Sequence, residues 1–336
     1  MALLDSTSPT LLDIANMPDM KDVKDVVNLL GQFNPILEDA PAMACNKGTY
    51  HETTVRTGLP TPVWGRLYKG IPASKGTRQQ VKDTPGFLEA AGEVDTRLVD
   101  VWEKAEDKAS IRFEEAEGQL EAMAQEAATA LFYHDTDTDP EKPMGLAPRF
   151  SSLSAENGGQ IIDGGGGGAD NTSMWMVTWD KKACHLIYPK SYKAGIQRED
   201  RGAIPKTDAN GDTYFAYREE FTWHLGLTVR DWRYVTRGAN IDITALTTDA
   251  TAGANIIEVL TEMYYKHYGR RTSIGRTFIY ANTTIVKYLD YQARNATKNL
   301  HLTFKEAGPN AKEVLHFRGI PIRETDAILS TESVVA

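Results

Sequence analysis

Five consecutive glycines stand in "IIDGGGGGADN", Ile161 to Asn171, the stretch of this 336-residue chain with the plainest chemical potential. Backbone N–H groups in such a run could converge on a phosphate. A working cradle also needs a lysine for the outer phosphates and a hydroxyl for magnesium, at the start of a helix. Gly168 is followed instead by Ala-Asp-Asn-Thr, Asp170 would repel a phosphate, and Ser173 to Trp179 read as a strand. The run is expected to be a slack connector whose shortening the fold tolerates, and a nucleotide-dependent enzyme is the weakest functional reading.

The remaining chemical candidates are sparse. "HDTDTDPE" sets Asp135, Asp137 and Asp139 at alternate positions, like the opening of a calcium loop. Pro140 stands where the sharp-turn glycine belongs and no glutamate occupies the twelfth position, so an acidic turn ending a helix is the favoured reading. The seven histidines form neither His-x-x-x-His nor His-Glu-x-x-His. His224 reads as a surface residue on an alternating strand. Cys45 and Cys184 are far apart and read as two buried, reduced thiols. No Gly-x-Ser-x-Gly elbow occurs. "GRRTSIGR", Gly269 to Arg276, is the most basic stretch, and a solvated turn is favoured over an anion site. No catalytic constellation, metal set or cofactor motif emerges.

The elements that would position such residues are clearer. The length allows one large or two medium domains with an ample core. A formal net charge of −9 argues against a generally basic nucleic-acid binder. Asp5 and Asp13 interrupt the N-terminus where a signal peptide needs an apolar run, and no stretch has the length of a membrane span. The expectation is a soluble chain made in the cytoplasm. Residues 9 to 31 carry a loose helical pattern broken by Pro18, which suggests an arm. Residues 49 to 95 are β-prone but punctuated by Pro60, Pro62, Gly70, Pro72, Gly76 and Pro85. They read as a two-stranded excursion that cannot bury itself.

Trp102, Ala105, Ala109, Phe113, Ala116, Leu120, Met123, Ala127 and Leu131 then step by three or four residues. That spacing predicts one helix over 100–133, about 45 Å long. After it the chain turns β, with "SMWMVTW" and "CHLIYPK" as short strands and Asn210–Gly211 as a hairpin turn. Trp223, Leu225, Leu227 and Val229 alternate with polar residues, and the parity shifts after Asp231 as at a bulge. From residue 250 helices and strands alternate, with Asn282 as an N-cap and Gly319 between two strands. The class is α+β.

Taken in this order the segments resemble the major capsid proteins of tailed bacteriophages, with the Hong Kong 97 fold, most of all those of podovirus-like phages and prophages. The resemblance is carried by "FNPILEDAP" (Phe33 to Pro41), "HETTVRTGLPTPVW" (His51 to Trp64), "MGLAPRF" (Met144 to Phe150), "GLTVRDWRYVTRGANID" (Gly226 to Asp242) and "FRGIPIRETDAIL" (Phe317 to Leu329). It implies an N-arm over 1–48 and an E-loop over 49–95. A P-domain over 96–249 would hold the spine helix and a long hairpin at about 196–242. An A-domain would take 250–336, with strands 172–190 as candidates for it. The long strands here precede the α+β end, whereas better-known members place them after most of the A-domain, an order that a permutation would explain. No motif for a covalent Lys–Asn cross-link is present.

The implied function is a non-enzymatic shell protein. It would form pentamers and hexamers of an icosahedral head around double-stranded DNA, made in the host cytoplasm and carried in the virion. Scaffolding, portal and decoration proteins are the implied partners, with no membrane. An encapsulin-type compartment of the same fold is the rival, separated by whether terminase and portal genes or a cargo enzyme lie alongside. The inter-subunit candidates are Arg56, Trp64, Arg66, Tyr68, Lys69, Lys75 and Arg78 on the E-loop. Facing them would be Glu103, Asp107, Glu114, Glu117 and Glu121 on the spine helix. Asp208, Asn210 and Gly211 would form the P-domain hairpin tip. Residues 49–82 hold six cations against Glu52 alone, and residues 103–126 hold eight acids against three cations. Opposite fields are therefore expected to steer E-loop and helix together.

Overall fold

The strand Asn171–Trp179 is buried at every position, and the rest of the molecule is arranged around it. The computed structural model describes residues 32–101, 105–208, 210–248, 253–295, 302–306 and 313–336. Of the arm expected over residues 1–48, residues 1–31 lie outside the described residues, as do Trp102 and Glu103.

In chain order the elements are α1 (Ile36–Asp39), β1 (Ala42–Ala44), β2 (His51–Arg56), β3 (Arg78–Asp83), β4 (Gly86–Asp95), α2 (Thr96–Asp100) and the long α3 (Ala105–Tyr133). There follow α4 (Leu146–Arg149), β5 (Ile161–Asp163), β6 (Asn171–Trp179), β7 (Cys184–Tyr188), β8 (Ile196–Thr207), β9 (Thr213–Val229) and β10 (Val235–Asp242). The chain closes with α5 (Ile243–Thr248), α6 (Ile256–Lys266), β11 (Arg276–Ala281), α7 (Thr283–Asn295), β12 (Leu302–Glu306), β13 (Glu313–Phe317) and β14 (Ile320–Glu324). One sheet runs β12-β13-β14-β11-β6-β7-β9-β4, with β10 joining β6 to β5, β8 lying on β9 and β1 on β7.

A strand apolar on both faces must be covered on both. Trp175, Val177 and Trp179 of β6 pack with Ala127, Ala128, Leu131 and Phe132 of α3. Met174 and Met176 point the other way, into Val259, Leu260 and Met263 of α6 and Ile285 and Leu289 of α7. Asn282 is the N-cap the sequence predicts, its Oδ1 accepting from Ile285 N at 2.9 Å, and Asn255 caps α6 in the same way, its Oδ1 accepting from Glu258 N. Between β13 and β14, Arg318 and Gly319 both take positive φ, 50° and 84°, in a tight turn.

Beside this core, β4, β8 and β9 make a long three-stranded ribbon. Phe221, Leu88 and Trp223 of the ribbon pack under Ala116, Leu120 and Met123 of α3. Its other residues form ion pairs, among them Arg198–Glu219, Arg201–Glu220 and Arg218–Glu93.

The segments divide differently from expectation. Residues 49–95 split: β2 and β3 form a separate two-stranded hairpin, while β4 joins β9. The long hairpin ends at Val229 rather than 242. Asp231 caps a short 3-10 turn at Trp232–Tyr234, and β10 then pairs with β6. The parity change after Asp231 is thus a change of partner strand; the bulges fall at Asp200/Gly202 and Gly238/Ile241. Strands β5, β6 and β10 share a sheet with the C-terminal strands, so the sheet does not divide at residue 250.

Candidate assembly surfaces

The β2–β3 hairpin is rooted in the body, where His51, Thr53 and Asp83 are buried, and its outer part is left exposed by the described residues. Beyond the strands its two arms stay together through Thr57 Oγ1–Thr77 Oγ1 at 3.0 Å and Ser74 Oγ donating to the Thr61 carbonyl at 3.0 Å. The tip turns at Arg66–Lys69, with Tyr68 at φ 64°. Leu59, Val63, Trp64, Leu67, Tyr68 and Ile71 are all exposed, Trp64 to 98%. Arg56 and Arg78 stand directly opposite each other in the ladder. Like charges in that position are unfavourable within one chain. The expected E-loop residues Arg56, Trp64, Arg66, Tyr68, Lys69, Lys75 and Arg78 are therefore brought together on one projecting arm, and every one is exposed.

The acidic side of α3 is only partly available. Glu103 lies outside the described residues, and the side chains of Asp107 and Glu114 are not described. Glu117 is exposed. Glu121 accepts from the backbone N of Gln32 and from Gln125 Nε2, both at 2.9 Å. Arg112, one of the helix's own cations, is held by Glu219 at 2.7 Å and Asp200 at 2.8 Å. At the ribbon tip, Asp208 Oδ1 accepts from the backbone N of Asn210 (2.9 Å) and Asp212 (2.8 Å), and Gly211 takes φ 94°. Asp208, Asn210 and Gly211 thus build one exposed turn.

Sequence reading missed the buried charges that tie these surfaces to the body. Asp83, at the hairpin root, meets Arg149 at 2.8 Å and accepts from Thr228 Oγ1 at 2.5 Å. Arg237 of β10 donates to Glu332 at 2.8 Å, to Ser173 Oγ at 3.0 Å and to the Phe150 carbonyl at 2.7 Å. Glu332 also accepts from Tyr133 of α3 and from Ser173. Asn240, at φ 56°, exchanges two hydrogen bonds with the Val335 backbone. The stretch near Phe33 is sewn to the one near Leu329: Asn34 Oδ1 accepts from Thr325 and Ala327, and Asp39 from Tyr280 and Arg323. Arg237 in "VTRGANID" gave no signal of this, because Thr236, Asn240 and Asp242 make the stretch read as polar, and only its burial obliges the charge to find partners.

The glycine run is not slack. Gly164 N donates to the Ala239 carbonyl and Gly166 N to the Asn240 carbonyl, both at 2.8 Å, and Gly165 N to Asp163 Oδ1 at 2.9 Å. A Cβ on Gly166 would stand 2.7 Å from the Asn240 carbonyl oxygen. Glycine is there because β10 passes too close for a side chain. Three of the N–H groups that a phosphate would need are already taken by protein oxygens, which removes the structural basis of the nucleotide reading.

Burial is the largest cause of the shifts at the buried histidines and cysteines. His267 sits between Thr178 Oγ1 (2.7 Å) and Thr236 Oγ1 (3.0 Å), and burial lowers its pKa to about 4. Burial chiefly, then His51 and Arg230, lower that of His185 to about 4. Desolvation raises Cys45 to about 11 and pushes Cys184 further in the same direction. His224 is half-buried, its ring 3.8 Å from that of Tyr192.

No curated protein matches the chain. A chain from the cryo-EM structure of bacteriophage Epsilon15 is 39% identical, with 100% of this chain and 99% of that one covered and a TM-score of 0.77. A capsid chain of the native GTA particle is 10% identical, with 71% and 99% covered and a TM-score of 0.42. The SrpI encapsulin of Synechococcus elongatus PCC 7942 is 9% identical, with 73% and 98% covered and a TM-score of 0.44. The fold is that of phage capsid proteins, the Hong Kong 97 fold. The family model described as major capsid protein GP7 matches residues 18–336, and the chain belongs to that family of virion shell proteins.

Proposed function

We propose that copies of this chain close into pentamers and hexamers, and these into an icosahedral head around double-stranded DNA. The chain acts there as a structural subunit, with no catalytic role and no cofactor. The observation that carries this reading is the β2–β3 hairpin, which exposes six large apolar side chains on an arm that the other described residues leave uncovered. Soluble proteins rarely leave such a patch without a partner. In this reading residues 51–83 are the E-loop, α3 is the spine helix, the β4–β8–β9 ribbon is the P-domain sheet, and the sheet around β6 with α6 and α7 is the A-domain.

The cations of the hairpin approach the acids of α3 on the next copy. Each exposed pair is worth only about 0–1 kcal/mol, so the charges guide register and rate more than final stability. Scaffolding, portal and decoration proteins are the expected partners, and the DNA is enclosed without sequence-specific contact. The test is negative-stain microscopy of the full-length protein, expressed alone and with the genes that flank its own. Closed particles of uniform size are expected. A monodisperse monomer in both cases overturns the reading.

A further inference from the structure

We propose that Arg270 and Arg318, stacked on Tyr264 and Tyr265 at the end of α6, form a binding site for a phosphate group, carried by a nucleic-acid backbone or by a free polyphosphate. The proposal goes beyond the shell reading and does not depend on it.

Two distant parts of the chain build the site. Arg270 lies in the 3-10 turn Tyr268–Arg271 that follows α6, and Arg318 in the turn between β13 and β14. The Arg270 guanidinium stands 4.9 Å from the centroid of the Tyr265 ring and 5.8 Å from that of Tyr264. Arg318 stands 5.2 Å and 5.0 Å from the same two rings. Tyr265 is 54% exposed, and Lys266, Arg270 and Arg271 are exposed around it. From Met263 to Leu289 the chain carries Lys266, Arg270, Arg271, Arg276 and Lys287 and no acid, within a protein whose net charge is −9.

Arg318 is held there against the preference of its own backbone. With Gly319 it makes a two-residue hairpin turn in which both φ are positive, where Asn-Gly is the ordinary pair. Its Nε is buried and has no hydrogen-bond acceptor among the described residues. Arg112, Arg149, Arg218 and Arg323 also bury an unbonded Nε, but each pairs with a carboxylate. Among the described residues no carboxylate oxygen lies within 4.0 Å of the nitrogens of Arg270 or Arg318.

Stacking on a ring orients a guanidinium and leaves its in-plane N–H donors available. Arg270 spends one of them on the Tyr265 carbonyl at 3.3 Å. A carboxylate takes one such fork in its own plane. A phosphate has tetrahedral oxygens and can accept from two, so a pair of forks on one pair of rings favours phosphate over an acidic side chain. Contacts of this kind read charge and not base sequence.

The experiment titrates the full-length protein into a fluorescein-labelled DNA duplex and follows anisotropy, with inorganic triphosphate and poly-glutamate as competitors. Phenylglyoxal modification of Arg270 and Arg318, read by mass spectrometry with and without each anion, reports on the site itself. Arg270→Gln combined with Arg318→Asn is expected to weaken duplex binding at least about tenfold and to reduce its salt dependence by about one phosphate contact or more. Asparagine suits the positive φ at position 318, so the thermal midpoint should be kept. Arg270→Gln alone, at an exposed position, should still weaken binding several-fold. Arg318→Lys keeps the charge and loses the fork, and should recover only part of the affinity. Changing Arg66, Lys69 and Arg78 together to Gln controls for the hairpin cations and should leave the effect of Arg270→Gln intact. Protection of both arginines by triphosphate supports the site with free polyphosphate as a ligand. Protection by the duplex alone supports it with the nucleic-acid backbone as the ligand. Poly-glutamate that protects as well as either overturns the proposal in favour of an acidic protein segment. Unprotected arginines, or duplex binding that is the same in the double variant, overturn it and leave the two arginines as packing for the tyrosines.

Discussion

Arg237 and Glu332, 95 residues apart in the chain, meet at 2.8 Å with both side chains buried. Tyr133 and Ser173 supply further bonds to the same carboxylate, so one ion pair holds α3, β6, β10 and the C-terminal segment together. The Arg237 guanidinium also lies 5.0 Å from the Trp175 ring centroid.

Breaking this pair should be costly because the partner left behind stays buried and charged. Glu332→Ala is expected to destabilise the subunit by about 3–5 kcal/mol. Urea unfolding of the subunit, read by circular dichroism, measures it. A loss below about 1 kcal/mol would mean that the pair is solvated in solution.

The glycine run provides its own control. Gly164→Ala and Gly166→Ala should each cost about 1–3 kcal/mol, because the new methyl meets β10 backbone. Gly167→Ala, with nothing within 4 Å of the added carbon, should change stability by less than about 0.5 kcal/mol. Equal effects at Gly166 and Gly167 in thermal unfolding would restore the slack-connector reading.

Acid should weaken the fold through its buried histidines. His267 has a pKa of about 4 in the folded chain against 6.5 for the free side chain. A depressed value means that the unfolded state binds the proton more readily. The stabilisation is therefore complete above pH 6.5 and is lost as pH falls toward 4. The difference corresponds to roughly 3 kcal/mol, and His185 adds in the same direction. His267→Gln should flatten the dependence of the unfolding midpoint between pH 6.5 and 4. An unchanged slope would place the effect elsewhere.

The long helix should be unevenly sensitive. Leu131 is fully buried against the β6 face, and Leu131→Ala should cost about 2–5 kcal/mol. Leu120 is only partly buried beside Phe221, so Leu120→Ala should cost clearly less. Subunit unfolding free energies for the two variants test the order; a larger loss at Leu120 would contradict it.

Assembly should respond to salt where the hairpin charges act. Reversing Arg66, Lys69 and Arg78 to Glu is expected to slow shell formation at low ionic strength. The gap from wild type should close near 1 M salt, where the screening length is about 3 Å. Light scattering at the two salt concentrations decides it, and unchanged rates at low salt would remove the steering argument.

Local patterns were legible in the sequence because their physics is local. The 3.6-residue stripe from Ala105 to Leu131 forms α3, Asn282 caps its helix, and Gly319 makes the turn before β14. The excursion around Trp64 was legible too, since proline and glycine punctuation with few core residues cannot fold on itself. Pairing across distance was not. Whether β10 continues a hairpin or crosses to β6 depends on which strand lies beside it, and a period of two reads the same in either case. The glycines at 164 and 166 look like slack until β10 is seen against them. Arg237 looks like one more surface cation until Glu332 is brought to it. Those residues take their meaning from neighbours that only the tertiary fold supplies, because close approach and desolvation are properties of the packed chain.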